Sequence, residues 1–213
     1  GDMMRKRNEI IAQLKDEGVF DLQKELRLSS FASRIAIISS NTAAGYGDFC
    51  NQLANNEFGL TFQTELFQAT MQGNRAEGDI IACLNEINAR EEEFDVVVII
   101  RGGGATADLS SFDTLLLAEN VANFPLPIIT GIGHDRDESV LDLVSFLKVK
   151  TPTAAAAFLI ERLSSTLSRV LEAEKNIHDY VHRRLEREYN HLNNLASRIP
   201  LLFSVVQTQQ EFH

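Results

Sequence analysis

The sequence predicts a three-layer α/β domain, an open, mostly parallel sheet with helices on both faces, followed by a long C-terminal helix of coiled-coil character. Two observations predict the domain. Short runs of β-branched residues, Val96–Ile100 being the purest, lack polar alternation and therefore suit strands covered on both faces. Such runs alternate along the chain with stretches at helical spacing, and right-handed crossovers then place helices on each side of parallel strands. The helix is predicted by a third observation: apolar residues recur every three, four or seven positions from Ile160 to Ile199. The division falls at 150/151, with an α/β domain at 1–150 and a helical arm at 151–213.

The elements follow in order. Lys6–Glu17 carries Ile10, Ile11 and Leu14 at helical spacing and stops at Gly18, a glycine placed to cap a helix. After a short loop region, Arg34–Ser40 is a first buried strand, Gly47–Asn55 a helix and Thr61–Phe67 a second strand. Glu77–Glu92 is an amphipathic helix with Ile80, Ile81, Leu84 and Ile87 inward. The strand at Val96 leads to a helix over Phe112–Asn123, a strand at Pro127–Ile132 and a short helix from Glu138 to about Phe146. Thr151-Pro152 then starts the last helix, Thr as N-cap and Pro at the first helical position, and Pro200 interrupts its apolar stripe. That stripe wants a partner along its length, as a coiled coil or dimer arm, or else a place on the chain's own domain.

Composition narrows the function classes. The chain has 213 residues, 44% of them hydrophobic, which suits a folded globular protein, and no apolar run reaches the roughly 20 residues of a membrane span. The N-terminal Gly-Asp-Met-Met-Arg-Lys-Arg lacks the apolar centre of a signal peptide, and a glycine before methionine suggests an expression remnant. Cys50 and Cys83 lie in helix-like stretches, as expected for two reduced thiols in a cytoplasmic protein. Residues 1–150 hold 13 Lys and Arg against 23 Asp and Glu, whereas 151–213 hold seven of each. An acidic body argues against broad adhesion to nucleic acid, which draws on many phosphate contacts, but leaves room for a narrow basic pocket.

Three strands end in polar, glycine-containing loops, "SSNTAAGYGD", "RGGGATADL" and "GIGHDRDESV", and in a parallel sheet these ends share one edge. In Arg101-Gly102-Gly103-Gly104 the absent side chains let backbone amides approach an anion, and the guanidinium can take two phosphate oxygens at once. Ser40 and Thr42 add hydroxyls before a helix N-terminus, a second anion-facing position. Asp48 ends that loop as an N-cap or a catalytic group. His134 stands between a glycine turn and the carboxylates Asp135, Asp137 and Glu138, an arrangement suited to proton transfer in phosphodiester or phosphoryl chemistry. The same acids suit a divalent metal such as Mg²⁺, while Arg101 and the loop amides can stabilise charge without one, so the cofactor stays open. Asp137 or Glu138 can instead cap the following helix. His178 and His182 share a helix face but sit beside Arg183 and Arg184, as expected for a solvated surface, and Glu91-Glu92-Glu93 is a charged helix end.

The blocks "RGGGATADLSSFD", "PIITGIGHDRDESVLDLV" and "TPTAAAAFLIERL", preceded by "RIAIISSNTAAGYGD" and "FQATMQGNRAEGDI", resemble the large subunit of exodeoxyribonuclease VII over residues 19 to 165. The resemblance implies hydrolysis of single-stranded DNA from its ends into short oligonucleotides, with Asp48, Arg101, His134 and Asp137 as the active-site set. It also implies an amino-terminal OB-fold and a long helical region that carries small subunits. Against that pattern the chain is expected to begin after the former and end early in the latter, as a catalytic core. It departs from the family at Ala107, Asp113 and Asp135, and where Val-Ala-Asp-x-Arg is usual it has Val144, Ser145, Phe146, Leu147 and Lys148. Lysine cannot fork onto a phosphate, so these changes weaken the expected grip on DNA. A phosphate-binding or assembly module without turnover, and an enzyme of small phosphorylated metabolites, are the other classes the residues allow.

Overall fold

A computed structural model describes residues 2–102, 109–132 and 138–210. Helix α1 (Asp2–Asp16) ends at Gly18, whose φ of 74° is the left-handed conformation that stops a helix at little cost for glycine. It is followed by α2 (Leu22–Glu25), β1 (Arg34–Ser39), α3 (Ala44–Ala54), β2 (Gln63–Gln68) and α4 (Ala76–Asn88). Then come β3 (Val96–Ile100), α5 (Leu115–Ala122), β4 (Ile128–Gly131), α6 (Val140–Val144), β5 (Leu147–Lys148) and α7 (Pro152–Gln210). Short 3₁₀ turns at Glu91–Glu93 and Ser110–Phe112 precede β3 and α5. The latter splits off the start of the helix expected from Phe112.

The five strands form one sheet in the order β2-β1-β3-β4-β5, and every pairing is parallel. Each strand's alternate residues enter opposite layers. Ala36, Ile38, Val97 and Ile99 join the core built with α1, α4, α5 and α6, whereas Ile35, Ile37, Val96, Val98 and Ile100 join the core built with α3 and the first turns of α7. All five residues of β3 are buried, as its unbroken β-branched run requires for a central strand.

Polar side chains complete the core where backbone groups would otherwise go unpaired. Fully buried Gln23 on α2 donates from Nε2 to the carbonyls of Phe124 and Leu126 at 2.8 and 3.0 Å and accepts the Ile128 N–H at 2.8 Å, fixing the entry to β4. At the other end of β4, the Thr130 hydroxyl donates to Asp142 Oδ1 at 2.7 Å. Asp142 also accepts from the Ser139 N–H and hydroxyl, and Ser139 in turn accepts the Asp142 N–H, a capping box at the start of α6. Ser139 is therefore the N-cap of that helix, in place of the expected Asp137 or Glu138; the Glu138 carboxylate pairs with Lys148 at 2.6 Å. Asp113 accepts the Arg7 guanidinium at 2.5 Å and the Val140 N–H at 2.8 Å, tying α1 to α6 through a nearly buried ion pair.

Contacts divide the chain into two compact units, Gly1–Thr166 and Leu167–His213, and Ala155, Ala156, Leu159 and Ile160 of α7 are buried in the sheet's second core. From Leu167 onward the helix carries an exposed apolar stripe that includes Ile177, Val181, Leu185, Leu192 and Ile199. Pro200 lies inside α7, which runs on to Gln210, so the proline interrupts the apolar stripe without ending the helix. His182 and Arg184 make i, i+4 pairs with Glu186 and Glu188, and His178 is exposed, consistent with a solvated face. Cys50 is partly buried and Cys83 buried, and both are free, burial pushing the Cys83 thiol up to about 11. Among the described residues no helix is long and apolar enough to cross a membrane.

Candidate functional site

The strand order sets where a ligand can sit. The chain leaves β1 toward β2 on one side and returns to β3 on the other, so the loops after β1 and β3 diverge and leave a crevice at the carboxyl edge of the sheet. A hollow of about 620 Å³ opens there. Ser40 and Thr42 line it after β1, Ala43 and Ala44 at the N-terminus of α3, and Arg101 and Gly102 after β3.

Each of these groups is held by local structure. The Ser40 and Thr42 hydroxyls are 2.9 Å apart and bonded to each other. Ala43, the N-cap of α3, offers no side-chain bond to the first turn, which leaves the helix's leading amides and its positive dipole end directed at the hollow's rim. Arg101 is partly buried, and its Nη1 is buried without a hydrogen-bond partner among the described residues. An unpaired buried guanidinium nitrogen is costly, and a bound anion relieves that cost. Ser39 Oγ at the end of β1 is likewise buried and unpartnered among the described residues.

Close backbone approach explains two small residues in the flanking motifs. A Cβ on Gly45 would lie 2.7 Å from Pro152 Cγ and 2.8 Å from the Arg101 carbonyl oxygen. A Cβ on Gly131 would meet Ile100 Cγ2 at 3.2 Å and the Thr151 carbonyl at 3.4 Å. The start of α7, where Thr151 Oγ1 accepts the Ala154 N–H at 3.0 Å as an N-cap, is thus wedged against α3, the Arg101 main chain and the end of β4. Within "TPTAAAA", Ala155 and Ala156 are buried in the core beneath the sheet, where larger side chains would not fit without displacing it.

Of the residues predicted for the site, the structure brings together Ser40, Thr42, Arg101 and Gly102. Asp48 is placed differently. It lies within α3 and is not its N-cap, because the helix starts earlier, at Ala44; it is exposed and lines a second hollow of about 760 Å³ with Asn51, Asn55, Glu57, Thr153 and Glu161. Gly103, Gly104, His134, Asp135 and Asp137 lie outside the described residues. Among the described residues no group of three or more His, Cys, Asp or Glu side chains could hold a metal.

The sequence reading missed a wall of the first hollow: Gln68 at the end of β2, Thr70 and Gln72 just after it, and Asp79 on α4. The signal was present in "FQATMQ", where exposed Gln68, Thr70 and Gln72 alternate with buried Phe67, Ala69 and Met71. Asp79 Oδ2 accepts the Thr70 N–H at 3.0 Å; the Thr70 hydroxyl and this N–H hold the carboxyl below the usual carboxylate range.

The sequence profile described as "Exonuclease VII, large subunit" matches residues 19–213. Relatives named "Exodeoxyribonuclease 7 large subunit" include one from Deinococcus radiodurans, 33% identical over 180 residues, covering 83% of this chain and 43% of the relative. One from a Cyanothece species is 31% identical over 210 residues, covering 97% of this chain and 49% of the relative. One from Lactobacillus helveticus is 28% identical over 199 residues, covering 93% and 44%. The chain therefore spans a little under half the length of these relatives. With a match that runs unbroken through the sheet, the Arg101 crevice and α7, the chain belongs to the exonuclease VII large-subunit family.

Proposed function

We propose that the chain is the nuclease core of an exodeoxyribonuclease, hydrolysing phosphodiester bonds of single-stranded DNA from its ends to short oligonucleotides. The observation that carries this reading is Arg101: a buried guanidinium nitrogen without a partner among the described residues, at the switch point of a parallel sheet, beside two hydroxyls and a helix N-terminus. Arg101, Ser40, Thr42 and the backbone of Gly102, Gly103 and Gly104 hold a phosphate. His134, oriented by Asp137, moves the proton of the attacking water or leaving oxygen. Asp48 enters this set through the family resemblance. The helical region from 151 onward carries the small subunits or a second copy of the chain, and the protein works in the cytoplasm.

A second reading, a phosphate-binding module without turnover, is favoured by the placement of Asp48 in a different hollow from Arg101. Incubating the purified chain with end-labelled single-stranded DNA, with and without EDTA, separates the two. Release of short labelled oligonucleotides is expected. Retained binding without any cleavage, in the presence of added Mg²⁺, selects the binding module, and loss of cleavage in EDTA shows that the reaction needs a divalent metal.

A further inference from the structure

We propose that the crevice takes a whole nucleotide, with its phosphate on Arg101, Ser40 and Thr42 and its nucleoside part against Gln68, Thr70, Gln72 and Asp79. The proposal rests on the reading of Arg101 as the phosphate ligand and adds the residues that recognise what the phosphate is attached to.

Size is the first support. At about 620 Å³ the hollow falls within the range of roughly 300–1,000 Å³ typical of sites for organic ligands, far more than one phosphate fills. Register gives the second. Gln68 pairs with Ser39 across β1 and β2, and Ile38 with Ile99 across β1 and β3, so Gln68 is level with the residue just before Arg101. The β2 and β3 ends stand two strand spacings apart, about 10 Å, a span that a phosphate with its nucleoside covers and a phosphate alone does not.

Charge decides which part goes where. Asp79 is a carboxylate in the lining, and its bonds to Thr70 favour the charged form. A second anion beside it is repelled, which confines the phosphate to the Arg101 side. Gln68 and Gln72 are uncharged and carry both donors and acceptors, and a carboxylate accepts only, so this wall suits the hydroxyl and amino groups of a sugar or base. The alternation of exposed 68, 70 and 72 with buried 67, 69 and 71 points the three polar side chains to one side of the segment.

Calorimetric titration of the chain with inorganic phosphate, 2-deoxyribose 5-phosphate and deoxyadenosine 5′-monophosphate tests the assignment. The wild type should bind the nucleotide at least tenfold more tightly than phosphate. The double variant Gln68→Ala with Gln72→Ala, two exposed positions whose loss leaves the core intact, should lose at least fivefold in nucleotide affinity with phosphate binding unchanged. Arg101→Ala should weaken all three ligands. A gain already present with the sugar phosphate assigns the wall to the sugar, and a gain seen only with the nucleotide assigns it to the base. If the nucleotide binds no better than phosphate, or the double variant keeps the full gain, the nucleoside wall is wrong while the phosphate reading stands. If phosphate binding is absent or indifferent to Arg101→Ala, both readings fall.

Discussion

Arg101 draws its role from the conflict between its charge and its surroundings. It directly follows a strand whose five residues are all buried, and its Nη1 is shut away from water with no partner among the described residues. Arg101→Lys replaces a planar fork by one flexible ammonium, so nuclease kcat/KM should fall by about 1–3 kcal/mol, roughly five- to 150-fold. Steady-state kinetics on single-stranded DNA check this, and unchanged kinetics would remove Arg101 from the site. The acid-base role proposed for His134 and Asp137 calls for a different signature, because such a pair acts in the transition state. His134→Ala should lower turnover by about 10² to 10⁴ with little change in DNA affinity. Asp137→Asn should cost a comparable or smaller factor, and the double variant should lose much less than the product of the two. A fully multiplicative double variant would show that the two side chains serve separate steps.

Among the elements, α7 joins two kinds of residue in one helix. Its first turns are small and buried, Ala155 and Ala156 against the sheet, while from Leu167 on its apolar side chains stand exposed. Exposed Leu, Ile and Val at helical spacing along so many turns match the seam of a helix that packs on another. Leu167→Asp with Val181→Asp puts two carboxylates into that seam and should reduce the apparent mass in sedimentation or impair assembly with added small subunits. A parent that is monomeric and binds no small subunit, with an unaltered double variant, defeats the seam. Exposure at both positions, 40% and 47%, keeps a folding defect from explaining the result.

The whole molecule is held in register by ties between distant segments, and one of them titrates. Asp95, just before β3, accepts the N–H groups of Ser33 and Arg34 at 3.0 and 2.9 Å and the Arg34 side chain at 2.7 Å, fixing the start of β1 beside the start of β3. Burial pushes this carboxyl up, but the Arg34 side chain and the two backbone donors outweigh it and hold it below the usual range. A depressed carboxyl stabilises the fold above its unfolded value of about 3.9, and that stability is lost as pH falls through the folded value. Asp95→Asn should therefore lower the urea midpoint at pH 7 and flatten its decline between about pH 5 and pH 2. Equal midpoints for parent and variant at pH 7 would show that the tie contributes nothing.

The sequence by itself determined the layer order, because strands buried on both faces need unbroken apolar runs, as in Val96–Ile100, and because Gly18 and the Thr151-Pro152 start mark helix ends through local backbone preferences. It also determined that Ser40, Thr42, Arg101 and Gly102 share an edge, since parallel strands put all their carboxyl ends on one side. Tertiary structure decided what depends on neighbours. The two-residue β5 exists only through its pairing with β4, and α2 is four residues long yet supplies buried Gln23, so neither leaves a periodic trace. Its place at a loop end and the family resemblance put Asp48 with Arg101, whereas α3 starts at Ala44 and Asp48 lines another hollow. The β2 wall joined the crevice because the strand order sets β2 beside β1, and strand order is fixed by long-range pairing and packing rather than by the local pattern of any one strand.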